Sequence, residues 1–151
     1  MLIRRPHDWH DIMDMIELGA RMHAEGNFHG LDYSREKCAK LGQQLLNNDA
    51  YFSRVCEYND EIIGMMICFT SEFYFGHDLI AQDMLLYIDK SRRGGVAALR
   101  MIEQYVEWAT EQGCKEVQLG ITTGINDKAV AKLYDRAGFS RIGQLYKRGI
   151  S

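Results

Sequence analysis

The stretch Leu85–Ala98, LLYIDKSRRGGVAA, joins an apolar strand pattern to a glycine turn and then to a long amphipathic helix pattern. The first N–H groups of a helix have no partners within the helix, and the helix dipole places partial positive charge there. Gly94 and Gly95 let the backbone approach a ligand closely, and Arg92 and Arg93 add positive charge. The stretch therefore predicts an anion-binding element that receives phosphate at a helix amino end.

Length and composition predict one domain, residues 1–151, that is large enough for a real core. The hydrophobic share of 46% and the charged share of 26% are ordinary for a soluble globular protein. The net charge of −3 gives no general reason to expect a nucleic-acid partner. The first residues form no signal peptide and no apolar run reaches membrane-spanning length, so we expect a cytoplasmic protein without a membrane partner.

The residue types that most often bind metals are scattered. The cysteines form no C-x-x-C pair and the histidines form no H-E-x-x-H pattern, so we expect reduced thiols and no metal site. The cysteines are Cys38, Cys56, Cys68 and Cys114.

Helix and strand patterns alternate along the rest of the chain. Apolar residues at helical spacing predict helices near 8–26, 34–46, 96–112 and 127–137, with Asp127 as the expected cap of the last one. Short apolar runs between turn residues predict strands at 2–5, 51–58, 62–69, 79–89 and 116–121, and one or two more within 139–150.

This order predicts an α/β (α+β) fold with a mixed sheet of six or seven strands and about four helices. The strands at 51–58 and 62–69 are expected to form a hairpin. The strands at 79–89 and 116–121 are joined by a crossover helix, so we expect them to be parallel and to form a central βαβ unit.

The element order and two motifs resemble the GNAT superfamily of acyl-CoA N-acyltransferases. The segment Arg92–Ala97 fits the family signature Arg/Gln-x-x-Gly-x-Gly/Ala. A second register, Arg93–Ala98, aligns the preceding strand better but places Val96 where the family usually has glycine, and both registers stay open. The segment Leu133–Phe139 looks like the family's Leu-Tyr-x-x-x-Gly-Phe element.

The resemblance implies direct transfer of an acetyl group from acetyl-CoA, as co-substrate, to an amine, without a metal. It implies that the CoA pyrophosphate binds the turn and that pantetheine binds the backbone of the preceding strand. The implied CoA contacts are Leu85, Leu86, Tyr87, Ile88, Arg92, Arg93, Gly94, Gly95, Val96, Ala97 and Ala98, with Asn126 and Asp127 at the fourth helix.

The resemblance also implies the groups that move protons. Tyr134 matches the family tyrosine that protonates the departing thiolate. An amine acceptor with a pKa of about 10 must lose a proton before it attacks. Asp83 is the candidate base, and Glu72, His77 and a water chain are the alternatives.

In the family, the loop between the first two helices helps to form the acceptor site. Here that loop carries Asn27, Phe28, His29 and Tyr33, and Phe73 and its aromatic neighbours are candidates for the opposite wall. The acceptor, a small molecule or a protein, is not readable from the sequence.

Two further functions compete with the enzyme. One is a catalytically silent acyl-CoA-binding or regulatory module on the same fold. The other is a toxin that acetylates aminoacyl-tRNA, against which the acidic net charge argues. The resemblance further suggests a homodimer with the final strands at its interface.

Overall fold

The structure, a computed structural model, describes residues 1–93, 95–121 and 123–150. Helices and strands follow the predicted order up to the fourth helix. In chain order, the elements are β1 Leu2–Arg4, α1 Trp9–Glu25, α2 Arg35–Asn47, β2 Tyr51–Tyr58, β3 Glu61–Glu72, β4 Leu79–Ile88, a 3₁₀ turn at Lys90–Arg92, α3 Ala97–Glu111, β5 Glu116–Val117 and α4 Asp127–Arg136.

The described strands form a single sheet in the order β1-β2-β3-β4-β5. The first four strands pair antiparallel, which confirms the expected hairpin of β2 and β3. β4 and β5 pair parallel, with Ile80 opposite Glu116 and Ala81 opposite Val117, so the predicted βαβ unit is confirmed. The mixed α/β fold is confirmed as well, but the expected number of strands is wrong, because the described residues form five and not six or seven.

The predicted strands that the structure does not contain lie within residues 139–150. The structure describes them as irregular chain, with Ile142 and Ile150 at least 90% exposed. Their apolar residues do not alternate with polar ones, and two glycines interrupt the segment. A strand needs alternation to bury one face, so the short apolar runs of this segment do not specify the strands that we expected from them.

Helices cover both faces of the sheet, and the alternation of β3 shows this directly. Met66 and Cys68 lie in a buried cluster with α3 and α4, whereas Met65 and Ile67 lie in a second cluster with α1 and α2. The first cluster comprises Phe52, Met66, Cys68, Ala81, Met101, Ile102, Tyr105, Ala109 and Tyr134. The second comprises Ile12, Met15, Leu18, Leu45, Val55, Met65, Ile67 and Tyr87.

β4 contains a β-bulge at Met84. Ile67 of β3 lies opposite Leu85, and the next residue, Cys68, lies opposite Asp83, so Met84 has no partner on β3. An extra residue reverses the alternation of side chains on one side of the bulge. Asp83 consequently faces the same cluster as Leu86, next to Cys68 and Tyr134.

The amino ends of the helices differ in their caps. Ser34 caps α2, because its hydroxyl accepts a hydrogen bond from the N–H of Lys37 at 3.1 Å. The expected cap of α4 is wrong: Asp127 is the first residue of the helix, and Asn126 stands at the cap position with a left-handed φ of 56°. At α3, Val96 stands at the cap position and no side-chain hydrogen bond closes the helix end.

Candidate active site

β4 and β5 separate soon after they begin to pair. The N–H of Gln118 still donates to the carbonyl of Ala81 at 2.9 Å. Two residues further on, the N–H of Gly120 donates to the carboxylate of Asp83 at 3.0 Å, so a side chain replaces the strand backbone as acceptor. The edge of β4 at 85–88 then has no strand partner on this side among the described residues. We call the gap bounded by Asp83, Gly120 and this edge the β4–β5 opening.

The two predicted catalytic residues meet at one residue, Gly120. The hydroxyl of Tyr134 donates to the carbonyl of Gly120 at 2.8 Å, and the amide of the same residue donates to Asp83. α4 supplies Tyr134 and the bulged strand supplies Asp83. Gly120 was not singled out from the sequence, since nothing in its local pattern distinguishes it from another loop glycine.

Burial changes the acidity of both groups. It raises the pKa of Asp83 to about 6, against the opposing effect of the hydrogen bond from Gly120. It also raises the pKa of Tyr134 above its usual range, and the negative charge of Asp83 adds to that rise. At neutral pH the site therefore combines an ionised carboxylate, whose pKa suits a base, with a phenol that keeps its proton.

The alternative bases lie elsewhere. Glu72 and His77 are at the tip of the β3–β4 hairpin, both exposed, with 3.3 Å between the carboxylate and Nδ1. Phe73 is at the same tip, where its ring contacts those of Tyr74 and Phe75. Asp83 pairs with Cys68, well down the hairpin from this tip. The structure thus groups Glu72, His77 and Phe73 with one another and not with Asp83.

Both arginines of the turn before α3 interact with other groups of the protein. Arg93 donates through Nε to the carbonyl of Ile88 at 2.9 Å and through Nη2 to both carboxylate oxygens of Glu25, at 2.7 and 2.9 Å. The guanidinium of Arg92 stacks over Tyr58, with Cζ 4.5 Å from the ring centroid. Gly94, one of the predicted CoA contacts, lies outside the described residues.

Gly95 leaves open space in front of α3. A Cβ added to it would meet no heavy atom within 4 Å. Val96 follows it, half exposed, and α3 begins at Ala97. This space lies at the uncapped amino end of the helix, where backbone N–H groups are free of helical partners and favour an anion.

Glu25, Tyr87 and Arg93 form a cluster beside this turn. Besides its ion pair with Arg93, Glu25 accepts a hydrogen bond from the Tyr87 hydroxyl at 2.9 Å. The guanidinium of Arg93 holds the pKa of Glu25 below its usual range, and burial raises the pKa of Tyr87 to about 12. No local sequence pattern indicates this cluster, because its members come from α1, β4 and the turn.

The loop after α1 is held to the chain that follows β5. The N–H of Asn27 donates to the carbonyl of Thr123 at 2.6 Å. Because Thr123 is three residues after Gly120 in the chain, this bond ties the predicted acceptor loop to the segment that carries Gly120. Tyr33 donates to the carbonyl of Ile16 in α1 at 2.7 Å, and His29 Nδ1 lies 2.9 Å from the carbonyl of Gly26. Tyr33 and His29 therefore brace the loop, while Asn27 and Phe28 contact Lys147 of the carboxyl-terminal segment.

The other predicted CoA contacts lie in four places. Leu85 faces an apolar cavity of about 90 Å³ between α1, α2 and the sheet, and Leu86 packs against the α3 cluster. Ala97 and Ala98 form the first turn of α3, and Asn126 and Asp127 stand at the start of α4. No sequence pattern predicts the cavity, which is also lined by Cys38 of α2.

Comparison with known proteins gives the family. The chain matches the family described as Acetyltransferase (GNAT) family over residues 12–139, and it therefore belongs to that family. The resemblance inferred from the two sequence motifs is thus confirmed.

One curated relative and two solved structures illustrate the similarity. N-alpha-acetyltransferase 30 of Schizosaccharomyces pombe is 30% identical over 96 residues, which are 64% of this chain and 62% of the relative, so the match spans less than two thirds of that protein. AAC(6')-Iy in complex with a CoA-containing bisubstrate analog has a TM-score of 0.77 at 16% identity, covering 99% of this chain and 97% of its own. An aminoglycoside acetyltransferase from an uncultured soil metagenomic sample, in complex with trehalose, has a TM-score of 0.73 at 20% identity, covering 99% and 95%. At these identities the two structures establish the fold.

Residues 1–93, 95–121 and 123–150 contain neither a membrane-spanning helix nor a cluster of metal-ligating side chains. No helix there is long and apolar enough to cross a membrane. No group of three or more His, Cys, Asp or Glu side chains there is arranged to hold a metal ion.

Proposed function

We propose that this protein transfers an acetyl group from acetyl-CoA to the amine of an acceptor by direct attack through a tetrahedral intermediate. The observation that carries the proposal is the convergence of Asp83 and Tyr134 on Gly120 at the β4–β5 opening. A base and an acid are then both hydrogen-bonded to one glycine, beside an edge of β4 that has no strand partner among the described residues.

Two features of the structure support the proposal that acetyl-CoA binds here. The uncapped amino end of α3, with open space at Gly95, would receive the pyrophosphate, since helix N–H groups and the dipole favour anions there. The unpaired edge of β4 at 85–88 offers backbone groups for the pantetheine amides, and a backbone N–H there can stabilise the oxyanion. Arg93 would act by fixing the turn, because its guanidinium is bonded to Ile88 and Glu25.

The proposed proton transfers balance the reaction. Asp83 takes a proton from the acceptor's ammonium, directly or through water, and the freed amine attacks the thioester carbon. The C–N bond forms first and gives the tetrahedral intermediate. When the C–S bond then breaks, Tyr134 donates its proton to the sulfur, the second proton of the attacking nitrogen passes through water to the Tyr134 phenolate, and Asp83 releases its proton to solvent. At neutral pH the mechanism needs Asp83 ionised and Tyr134 protonated. A pKa of about 6 for Asp83 and a raised pKa for Tyr134 are compatible with these two states.

The acceptor is an amine that is either a small molecule or part of a protein. One relative is named as an N-alpha-acetyltransferase and one structural neighbour as an aminoglycoside acetyltransferase, and both names fit acetylation of an amine. We further propose a single-domain protein that works in the cytoplasm, without a nucleic-acid partner, as a homodimer.

The decisive experiment is turnover of acetyl-CoA against an amine library, read by release of the thiol. Calorimetry with acetyl-CoA is run in parallel. The proposal requires both binding and turnover with at least one amine. Absence of binding would reject it, and tight binding without turnover of any amine would favour the silent acyl-CoA-binding module.

A further inference from the structure

We propose that the backbone carbonyl of Asn27 and the ring of Phe28 form a binding subsite for a primary alkylammonium group, and that Lys147 occupies this subsite in the free protein. The inference deepens the proposed function, on which it rests, because the subsite would receive the protonated amine of the acceptor. It assigns Lys147 the role of an internal competitor.

The loop directs one carbonyl toward the subsite. The N–H of His29 donates to the carbonyl of Gly26 at 3.3 Å, and the N–H of Leu31 donates to the carbonyl of Phe28 at 2.9 Å. The carbonyl of Asn27, which lies between these two, instead accepts a hydrogen bond from the ammonium of Lys147. The N–H of Asn27 is anchored on Thr123, so the position of this carbonyl is fixed relative to the segment that carries Gly120.

Phe28 supplies the second half of the subsite. Nζ of Lys147 lies 5.4 Å from the centroid of the Phe28 ring, within the range of a cation–π interaction. A carbonyl oxygen and an aromatic face together suit an ammonium that has N–H donors and an apolar stem. The nearby carboxylate of Glu25 is already paired with Arg93, so recognition by this subsite would not depend on a full negative charge.

Lys147 is held in a way that permits exchange. The segment around it is irregular and exposed, with Leu145 at 70% and Tyr146 at 83% exposure. Little buried area is lost when such a segment moves away. A tethered ammonium nevertheless competes at an effective concentration in the millimolar range, so it should weaken the apparent affinity for a free amine.

The first test needs no enzymatic activity. A methylene group next to an aromatic face is shifted upfield in proton NMR, so the ε-methylene signal of Lys147 should lie upfield of that of Lys132, an exposed lysine of α4. Titration with n-butylammonium chloride should move the Lys147 signal toward that of Lys132, and sodium chloride at equal ionic strength should not. Phe28→Leu, which keeps an apolar side chain but removes the ring, should abolish the shift.

The second test is kinetic. Lys147→Ala should lower KM for the amine acceptor by about threefold or more and leave KM for acetyl-CoA unchanged, whereas Lys132→Ala should change neither. An ordinary Lys147 signal, or one that n-butylammonium does not move, overturns the subsite. A signal that responds in a protein without acetyl transfer would reject the proposed enzyme and keep the subsite, so the two failures are distinguishable.

Discussion

The carboxylate of Asp83 accepts a hydrogen bond from the amide of Gly120 at 3.0 Å, at the point where two parallel strands have ceased to pair. This contact bridges the separating strands by a side chain instead of a ladder hydrogen bond. It holds a partly desolvated carboxylate at the edge of the β4–β5 opening, where burial raises its pKa to about 6.

Asp83→Asn should separate stability from activity. An aspartate with an unfolded pKa of about 3.9 and a folded pKa of about 6 binds its proton more tightly in the folded state, so wild-type stability falls as pH rises from 4 to 6. The substitution removes this penalty, which reaches about 3 kcal/mol at pH 7. Urea unfolding should therefore show Asp83→Asn to be more stable than wild type at pH 7.5 and about equal at pH 4, with Asp135→Asn on the exposed face of α4 as control.

Catalytic turnover should fall in Asp83→Asn, although the variant is more stable. If Asp83 is the base, Asp83→Asn should lower kcat at pH 7.5 by about a hundredfold or more, and the acid limb of the pH profile near pH 6 should disappear. Full activity in the asparagine variant would assign proton removal to water.

Tyr134→Phe has a closely matched control in the same structure. Tyr134 donates to the carbonyl of Gly120 and Tyr105 donates to that of Gln118 at 2.9 Å, and both side chains are buried. Each phenylalanine variant should lose about 1 kcal/mol of unfolding free energy. Only Tyr134→Phe should also lower kcat, by about tenfold to a hundredfold, and equal kcat values for the two variants would remove Tyr134 from the chemistry.

Gly95→Glu should block acetyl-CoA without harming the fold. The new side chain enters open space and places a carboxylate where the pyrophosphate is expected, so calorimetry should show affinity reduced by at least about tenfold. Gly95→Ala adds only a Cβ in the same space and should bind nearly as wild type. Unchanged binding by the glutamate variant would move the phosphate site away from α3.

Glu25→Gln should loosen the turn before α3. It replaces an ion pair in which both side chains are only 25% exposed, and it should cost about 1 kcal/mol at pH 7. The pKa of Glu25 is lowered in the folded protein, so its contribution is present above pH 5 and disappears as the pH falls below about 4. Glu17→Gln, which breaks the exposed pair with Arg35, should leave the thermal midpoint unchanged.

Gly42→Ala should test the packing of α2 on α1. A Cβ at Gly42 would overlap Cγ2 of Ile12, which is 1% exposed and has little room to move. We expect a loss of about 1–3 kcal/mol in urea unfolding, although alanine is the better helix former. Gly30→Ala, with no atom within 4 Å of its added Cβ, serves as the control.

Much of the fold could be predicted because its main elements are long and periodic. α1 and α3 each carry an apolar stripe over more than three turns, and the βαβ unit follows from a crossover helix between two apolar strands. The prediction for the end of the chain is wrong because the apolar runs within 139–150 are short and do not alternate with polar residues, so they do not specify a strand.

The candidate site could be predicted only in part, for a different reason. Tyr134 could be predicted because it lies in the Leu133–Phe139 motif. Asp83 could be predicted because it lies on the strand that leads into the glycine turn. Gly120, Glu25 and Lys147 matter through contacts with residues distant in sequence, such as the hydrogen bond of Glu25 with Tyr87. Such contacts depend on how elements pack and leave no local pattern.

The bulge at Met84 has a consequence for insertions and deletions in this chain. Removing that one residue would join Asp83 directly to Leu85, and these two already face opposite sides of the sheet, because they pair with Cys68 and Ile67. β4 could then pair with β3 without interruption, and Ala81 and Asp83 would keep their present face. The cost of such a deletion should therefore come from the lost bend and twist of the bulged strand, which set the aim of Asp83 toward Gly120.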